Sequence, residues 1–582
     1  MTLHRLQLWI GALIVVVAAG TASPVLKNDW TQDDVPLVRE DARIHDLGNI
    51  REILTTPFWP TAGAAGHHRP MTTLTLAVDW ALGRGSILSF RIISLTLVAA
   101  ASLVVFILAL ELLPLWWAAL VGLAFAVHPV HVEAVAVAIN QAELLIGGGY
   151  ALVVVWYLRF RRTRDATWRD RIFLAAAIFV GTLYKESGVV LPALLAATEL
   201  CLLSGQPWRQ RLAQFRPTVL LQVATVMAVV WIRDWVLKGE TRGTFTAEGL
   251  EGLGLGGRAL TMLGVVPEYL RLLLWPASLQ ADYSPGEIVG TTSWGSAQSL
   301  GALILLLVLV LAFRLRKSAP VVPFGLAWIA IGIAPVHNVL VPSGIVLAER
   351  TLFLASIGAM LVVAGLIAGV MKDNAASVRP AVTRLVYGLL AVAVVLGASR
   401  SWSRYHVWRT QLGLWTQTVI DAPDSYRAWV ALGSMMQRRE VRPMGLRFTE
   451  RAMAIYPSAA VLFGLAEGYQ GSNHCDLAIP HFQHALRLKE FAPGRSEYLS
   501  CLTWEGQYDL AYAEALQGVR SGYAVRVFLT WRRWLEEVRR EQPRRHTRFA
   551  PPNAGGLMTN ESSEPGVWQL QPPLPPLATL PQ

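Results

Sequence analysis

The stretch that decides the fold is residues 88–110, which read LSFRIISLTLVAAASLVVFILAL. Only Arg91 carries charge in this run, which exceeds the roughly 20 residues that cross a bilayer as a helix. Similar runs recur along the 582 residues of the chain, of which 53% are hydrophobic and 16% charged. Because this composition is too apolar for a soluble fold of this length, it predicts an all-α polytopic membrane protein.

Eleven membrane-spanning helices are predicted. Residues 8–20 form the first, which we interpret as an uncleaved span rather than a signal peptide because many further spans follow. The other ten are expected near 88–110, 115–135, 142–158, 172–186, 188–204, 218–237, 299–315, 320–340, 351–371 and 385–399. Residues 259–276 are also apolar, but a proline and two charged residues interrupt them, which predicts a helix lying at the membrane interface.

The basic residues indicate the orientation. The net charge is +11, but the basic residues form short clusters between apolar runs, which favours membrane lipids and argues against nucleic acid as a partner. The clusters at 159–171, 209–216, 314–317 and 372–384 all share one side if the N-terminus is cytoplasmic. An odd number of spans then places the chain after Arg400 on the extracytoplasmic side.

An arginine-rich, lysine-poor composition is typical of GC-rich genomes. It favours a multi-pass protein of a bacterial inner membrane, with the endoplasmic reticulum membrane as the eukaryotic alternative.

The predicted organisation has five parts. They are a first transmembrane helix at 1–24, an extracytoplasmic loop with an Asp-Asp motif at 25–87, a transmembrane core at 88–400, an extracytoplasmic helical domain at 401–540 and a disordered Arg- and Pro-rich tail at 541–582. Leu414, Phe448 and Phe482 lie 34 residues apart, which is the period of tetratricopeptide (TPR) repeats. A generic helical domain is the alternative. Cys475 and Cys501 share this domain, but their spacing alone favours separate buried thiols over a disulfide.

Polar and charged residues occur at nearly every turn predicted to face outward. They are Asp33, Asp34, His67, His68, Arg69, His128, His131, Glu133, Asn140, Glu143, Lys185, Glu186, Asp282, Tyr283, His337, Asn338, Glu349 and Arg350. Carboxylates beside cations at the edge of a bilayer suit group transfer from a lipid-linked phosphate to a hydroxyl. A carboxylate deprotonates the acceptor, and Arg or Lys neutralises the leaving phosphate.

The catalytic candidates are the adjacent Asp33 and Asp34, one of which is expected to be the general base. The sequence leaves open which one, because adjacent side chains point in different directions; the other would bind a cation or hold a neighbouring Arg. A purely structural alternative is an N-cap on a helix opened by Pro36.

Four residues are predicted to bind the donor phosphate: Arg350, Lys185, Arg69 and Glu349. Arg350 is favoured because a guanidinium fork grips phosphate bidentately, and Glu349 is expected to hold it in place. For Lys185 the alternative is an ion pair with Glu186 at the end of a span.

Eight further residues are predicted to support the site: His68, His128, His131, Glu133, Glu186, Asp282, Tyr283 and Asn338. His128 and His131 have a metal-like spacing but no third clustered ligand, so hydrogen-bonded structural roles are favoured and no metal site is predicted. Glu133 is expected to anchor one of the imidazoles.

Six segments, in this order along the chain, carry a family resemblance. They are Asp33-Asp34, 59–70 (WPTAGAAGHHRP), 125–135 (FAVHPVHVEAV), 184–188 (YKESG), 275–284 (WPASLQADYS) and 348–356 (AERTLFLAS). Together they resemble the transmembrane and tetratricopeptide-repeat-containing proteins, which are GT-C membrane glycosyltransferases related to protein O-mannosyltransferases. Residues 139–145 (INQAELL) depart from the family's Gly-Arg-Ala-Asp-like string and lack its cation.

The resemblance implies an inverting transferase that moves a sugar, typically mannose, from a polyprenyl-phosphate carrier to a protein hydroxyl. The repeat domain would then engage the acceptor protein. No cofactor is certain, and a divalent cation is a further candidate. Two alternatives stay open: transfer to a lipid or surface glycan, and a non-enzymatic membrane-anchored TPR scaffold.

Overall fold

The computed structural model describes residues 3–59, 66–203, 207–237, 246–283, 285–373, 380–438, 441–489, 492–521 and 525–541. Every regular element within these ranges is a helix, which confirms the all-α prediction. The predicted disordered tail lies, from residue 542 onward, outside the described residues. Two compact units can be distinguished, the first ending at Leu414 and the second continuing from Trp415.

The helices of the first unit are interrupted by short 3₁₀ turns and loops. They are α1 (Leu3–Ala22), α2 (Ile50–Thr55), α3 (Pro70–Gly83), α4 (Ile87–Leu112), α5 (Leu115–Ala126), α6 (Val132–Ala136), α7 (Gln141–Arg161), α8 (Trp168–Tyr184), α9 (Leu191–Cys201), α10 (Trp208–Leu237), α11 (Leu255–Leu274), α12 (Ser296–Leu315), α13 (Val321–Ile333), α14 (Phe353–Asp373) and α15 (Pro380–Val407).

Seven helical segments in the described ranges are long and apolar enough to cross a membrane. They are Leu3–Lys27, Ile87–Leu112, Ala138–Arg161, Arg209–Leu237, Ser296–Leu315, Glu349–Met371 and Thr383–Val407. An eighth is added if α5 and the bent continuation Pro129–Ala136 count as one span. These segments indicate a multi-pass membrane protein.

The three other predicted spans coincide with shorter helices. α8, α9 and α13 have 17, 11 and 13 residues. At about 1.5 Å per residue the longest extends about 26 Å, which is less than the roughly 30 Å of a hydrocarbon core. Helix length therefore does not confirm the predicted count of eleven. The run assigned to the membrane interface forms α11, which is not among the candidate spans.

The chain bends by 44° after α5, and this bend shapes the interior of the first unit. Pro129 has no backbone N–H and forces His128 into an extended conformation, so α5 cannot continue. Every residue from 125 to 144 is buried as a result. The bend therefore carries Glu133 and Glu143 into the centre of the bundle.

Close helix packing surrounds this segment. α1 packs against α4 and α5, α4 packs against α7, and α13 packs against α14. Gly148 on α7 faces Ala101 on α4, where an added Cβ would lie 3.1 Å from the alanine Cβ. Small residues at such crossings let membrane helices approach closely, which holds the interior segment rigidly.

The second unit consists of short helices, and from residue 426 onward each helix packs against the next along the chain. Together with α16, which bridges the unit boundary, they are α16 (Gln411–Asp421), α17 (Tyr426–Arg438), α18 (Arg442–Ile455), α19 (Ala459–Gly471), α20 (Cys475–Leu488), α21 (Ala492–Trp504), α22 (Tyr508–Arg520) and α23 (Val525–Glu541). Leu414, Phe448 and Phe482, which set the 34-residue period, are all buried. The TPR assignment stays a prediction.

Cys475 and Cys501 form a disulfide, which corrects the favoured expectation of separate thiols. Their Cα atoms lie 5.0 Å apart, because the packing of α20 against α21 brings together residues that are 26 positions apart. Spacing along the chain could not reveal this contact, since it depends on how the two helices cross.

Candidate active site

A cavity of about 330 Å³ lies in the first unit and gathers charged residues from distant parts of the chain. Its charged lining consists of Asp33, Arg69, Glu143, Lys185, Glu186, Arg233 and Arg350. Its apolar lining includes Phe58, Trp59, Ile139, Val336, Val341 and Ile345. The cavity is therefore amphiphilic, with a charged part and an apolar part.

The two adjacent aspartates have different surroundings. Asp34 is fully buried, and its carboxylate accepts hydrogen bonds from the backbone N–H groups of Ala138 (3.0 Å) and Ile139 (3.2 Å) and from Arg91 Nη1 (3.3 Å). Asp34 also begins a π-helical turn over Val35–Arg39. Both carboxylate oxygens of Asp34 thus accept hydrogen bonds from within the protein.

Arg91 completes this buried clamp. Its guanidinium also donates to the carbonyl oxygens of Asp29 (2.6 Å) and Ala136 (2.6 Å), and it lies over the ring of Trp30. Asp34 and Arg91 together tie the segment after α1 to the bend before α7. One aspartate of the pair was expected to hold a neighbouring Arg, and Asp34 does so by its ion pair with Arg91.

Asp33 lies at the cavity, and its carboxylate makes no hydrogen bond or ion pair with any described residue. Gln32, directly before it, has a left-handed φ of 49°, which few non-glycine residues adopt. Burial raises the pKa of Asp33, while the positive charge of Arg350 opposes the rise. Asp33 is thus the member of the pair that is available to a substrate.

Three of the four cations at the cavity are paired with carboxylates. Arg350 pairs with Glu133, whose other oxygen accepts the Arg350 backbone N–H at 2.9 Å. Lys185 pairs with Glu143. These two pairs join the bend and α7 to the segments that follow α8 and precede α14.

The third pair joins Arg69 to Glu186, with Nη2 and Oε2 2.6 Å apart. The alternative expectation of an ion pair between Lys185 and Glu186 is therefore wrong, since each of the two residues pairs with a separate partner. Adjacent residues in the extended turn after α8 point to opposite sides, so each meets a different helix.

The fourth cation, Arg233, was not singled out from the sequence. It lies near the end of α10, where its charge looks like an ordinary flanking residue of a span, and its Nη2 donates to the carbonyl oxygen of Gly66 at 2.6 Å. No sequence pattern connects it to the other cations. Only the packing of α10 places it at the cavity.

Histidines lie in the loop before α3 and in the bend after α5, and three of them form hydrogen bonds with residues outside these segments. His67 lines the cavity, where burial and the nearby Arg69 lower its pKa to about 3 and keep it neutral. His68 contacts the carbonyl oxygen of Leu54 at 3.1 Å.

His128 and His131 make separate structural hydrogen bonds, to the Leu273 carbonyl oxygen at 3.2 Å and to Ser356 Oγ at 2.8 Å. Glu133 is bonded to Arg350 and therefore does not anchor either imidazole, contrary to expectation. Within the described ranges, no group of three or more His, Cys, Asp or Glu residues has the geometry to hold a metal ion.

Glu349 does not hold Arg350 either. It is fully buried outside the cavity lining and accepts hydrogen bonds from the Gln280 backbone N–H (2.5 Å) and the Tyr283 hydroxyl (3.2 Å). The 3₁₀ turn Glu349–Leu352 directs the adjacent side chains to different sides. Asp282 is buried next to Tyr283, outside the lining.

Asn338 organises the loop that forms one side of the cavity. Its side-chain amide donates to the carbonyl oxygens of Val336 and Ile345, and its oxygen accepts from the Ser343 backbone N–H at 2.7 Å. Its φ of 56° is left-handed, a conformation that asparagine tolerates better than most residues. Asn338 therefore supports the lining without belonging to it.

Comparisons with known proteins agree with the resemblance inferred from the motifs. The chain is 23% identical over 474 residues to protein O-mannosyl-transferase TMTC3 of Mus musculus, covering 76% of this chain and 51% of the relative. Identity is 23% over 454 residues with the Homo sapiens TMTC3 protein, covering 73% and 49%. It is 22% over 423 residues with protein O-mannosyl-transferase F38B6.6 of Caenorhabditis elegans, covering 71% and 57%.

The chain thus spans about half the length of the curated relatives that it matches. No family model matches it, and no solved structure matches it. Fold and site define a multi-pass membrane protein with a charged, amphiphilic cavity. By sequence, this protein is similar to the TMTC protein O-mannosyl-transferases.

Proposed function

We propose that this chain transfers mannose from a polyprenyl-phosphate carrier to a hydroxyl group of a protein on the extracytoplasmic side of the membrane. The observation that carries the proposal is the cavity in which Asp33, a carboxylate with no protein partner, lies among four cations. The similarity to protein O-mannosyl-transferases supports mannose as the sugar and a protein as the acceptor. The apolar lining supports a donor that is a lipid.

In the proposed reaction, Asp33 accepts the proton of the acceptor hydroxyl while the hydroxyl oxygen attacks the anomeric carbon of the sugar. The bond between this carbon and the phosphate oxygen breaks, and the lipid phosphate leaves with the bonding electrons. Attack opposite to the leaving group inverts the configuration. Because burial raises the pKa of Asp33, its carboxylate is a stronger base than an exposed aspartate.

Arg350, Lys185 and Arg69 provide a positive field for the leaving phosphate. Their carboxylate partners fix each side chain before substrate arrives, so little reorganisation is needed as negative charge develops. Asp34 has a different part: through Arg91 it positions the turn that presents Asp33. Asp33 is thus the proposed base, and Asp34 is a positioning residue.

The second unit is proposed to engage the acceptor protein. Its disulfide supports an oxidising compartment, which agrees with the extracytoplasmic side expected from the basic clusters. Its short helices pack one against the next along the chain, which is also how the helices of peptide-binding repeat proteins are arranged.

Two alternative functions make different predictions. Transfer to a lipid or surface glycan would use the same base and donor, and it would place the sugar in the glycolipid fraction. A membrane-anchored scaffold would gain nothing from a carboxylate that has no protein partner and lines a cavity with four cations. The cavity therefore favours an enzyme.

Glycoproteomics of cells that carry the wild-type chain, Asp33→Asn or no copy tests the proposal. We expect mannose on extracytoplasmic Ser or Thr residues with the wild type and its loss in the other two. Glu40→Gln is the matched control, since Glu40 is an exposed acid in the same segment. Hexose found only on lipids, or protein mannosylation that survives Asp33→Asn, would contradict the proposal.

A further inference from the structure

Two charged residues of the cavity lining have no ion-pair partner among the described residues, the carboxylate of Asp33 and the guanidinium of Arg233. Arg69, Lys185 and Arg350 each have a carboxylate partner. Arg233 has only the backbone carbonyl oxygen of Gly66 among its described hydrogen-bond acceptors. Its Nε is buried and has no hydrogen-bond partner. Within the described residues, the guanidinium of Arg233 therefore has no carboxylate partner and has unused donors.

The position of Arg233 fits a ligand that is both anionic and apolar. α10 belongs to a candidate membrane span, Arg209–Leu237, and Arg233 lies close to its end. The same cavity has an apolar lining that includes Phe58, Trp59 and Val341, of which Val341 is 67% exposed. A lipid phosphate entering from the bilayer would meet both features, whereas a free phosphate ion would use only the first.

We propose that Arg233 is a direct ligand of the lipid phosphate and that its guanidinium, which no described carboxylate binds, retains the phosphate. This inference rests on the proposed function and adds a residue to it. The three paired cations shape the field, but their charge is already matched by Glu186, Glu143 and Glu133. A planar guanidinium with free N–H groups can bind two phosphate oxygens at once, as an ammonium cannot.

A binding experiment on the full-length protein in nanodiscs tests the inference. The probe is a short-chain polyprenyl phosphate without sugar, and the reference ligand is the matching uncharged polyprenol. Arg233→Gln should weaken phosphate binding by about 10- to 100-fold, as expected for loss of a charge-assisted hydrogen bond, and leave polyprenol binding unchanged. Arg233→Lys should recover part of the difference, since it keeps the charge but not the fork.

The matched control is Arg216→Gln, which removes an exposed arginine from the same helix. It should bind both lipids as the wild type does. If Arg233 serves only to hold the Gly66 loop, Arg233→Gln will weaken both lipids equally, and the inference is wrong. Displacement of the lipid by inorganic phosphate at equal concentration would also overturn it, because the apolar lining would then contribute nothing.

The inference and the proposed function fail in different ways. If the wild type transfers mannose and Arg233→Gln binds the lipid phosphate normally, the assignment of Arg233 fails and the proposed function stands. If phosphate binding depends on Arg233 but no mannose reaches protein, the phosphate site stands and the proposed function fails.

Discussion

Replacing each member of the aspartate pair should separate catalysis from stability. In Asp34→Asn, the amide provides a single acceptor oxygen for three donors: the Ala138 N–H, the Ile139 N–H and Arg91 Nη1. It also leaves the fully buried Arg91 without its counter-charge. Removing one partner of a buried pair costs about 3–5 kcal/mol. We therefore expect Asp34→Asn to lower the stability of the first unit by about that amount.

Asp33→Asn should behave in the opposite way. The Asp33 carboxylate has no hydrogen bond to lose within the described structure, so the change in stability should stay within about 0.5 kcal/mol. Loss of a general base should lower the transfer rate by roughly 10²- to 10⁴-fold.

Thermal unfolding of the purified variants, followed together with transfer rates, measures both effects. Arg91→Gln should be destabilised like Asp34→Asn, since both break the same ion pair. The double variant Asp34→Asn with Arg91→Gln should be less destabilised than the sum, because no buried charge is left unpaired. Equal stability of the two Asn variants, or a stable and inactive Asp34→Asn, would refute the assignment of roles.

Three further outcomes are expected. The negative charge of Glu133 raises the pKa of Asp33, so Glu133→Gln should lower the pKa of Asp33. Because the base must be deprotonated, the acid limb of the rate profile should then move to lower pH. A shift to higher pH would contradict this expectation. Asn338→Ala removes several hydrogen bonds and places alanine at a left-handed φ. Limited proteolysis should therefore cleave the 336–346 loop about 10-fold or more faster than in the wild type. Unchanged cleavage would argue against the structural role of Asn338. Replacing Cys475 and Cys501 by serine should destabilise the second unit by about 3 kcal/mol in chemical unfolding, since the bridge closes a loop of 26 residues; equal unfolding of oxidised wild type and variant would show that the bridge contributes nothing.

Much of the cavity follows from local sequence, because charged residues stand out in the loops and turns between apolar runs. Asp33, Arg69, Lys185 and Arg350 are all predicted from loops and turns expected to face outward, and the structure places all four at one cavity. Their pairing was not predictable, since Arg69 and Glu186 lie 117 positions apart and meet only through packing.

Two assignments show where local reasoning fails. Glu349 was expected to hold Arg350 because they are neighbours in sequence, yet Glu133 does so across 217 positions. Sequence neighbours in a helical turn point to different sides, whereas the bend after α5 brings a distant carboxylate into reach. The aspartate pair was ambiguous for a related reason, since the donors that bind Asp34 belong to Arg91, Ala138 and Ile139, which lie 57, 104 and 105 positions away.

Helix length does not confirm the predicted count of eleven spans. α8, α9 and α13 are apolar in sequence, but their 17, 11 and 13 residues are short for a bilayer. Hydropathy detects apolar composition but not where a helix ends. The end of α8, for example, is set by Lys185, which has an extended backbone conformation.

The most direct test of the central claim is mannose transfer by the purified full-length protein from a polyprenyl-phosphate donor to a Ser- and Thr-containing peptide. We expect the wild type and Glu40→Gln to form mannosylated peptide with inverted anomeric configuration and Asp33→Asn to lose it by at least about 10²-fold. Transfer by Asp33→Asn at the wild-type rate, with the protein folded, would contradict the account of this cavity as a glycosyltransferase site.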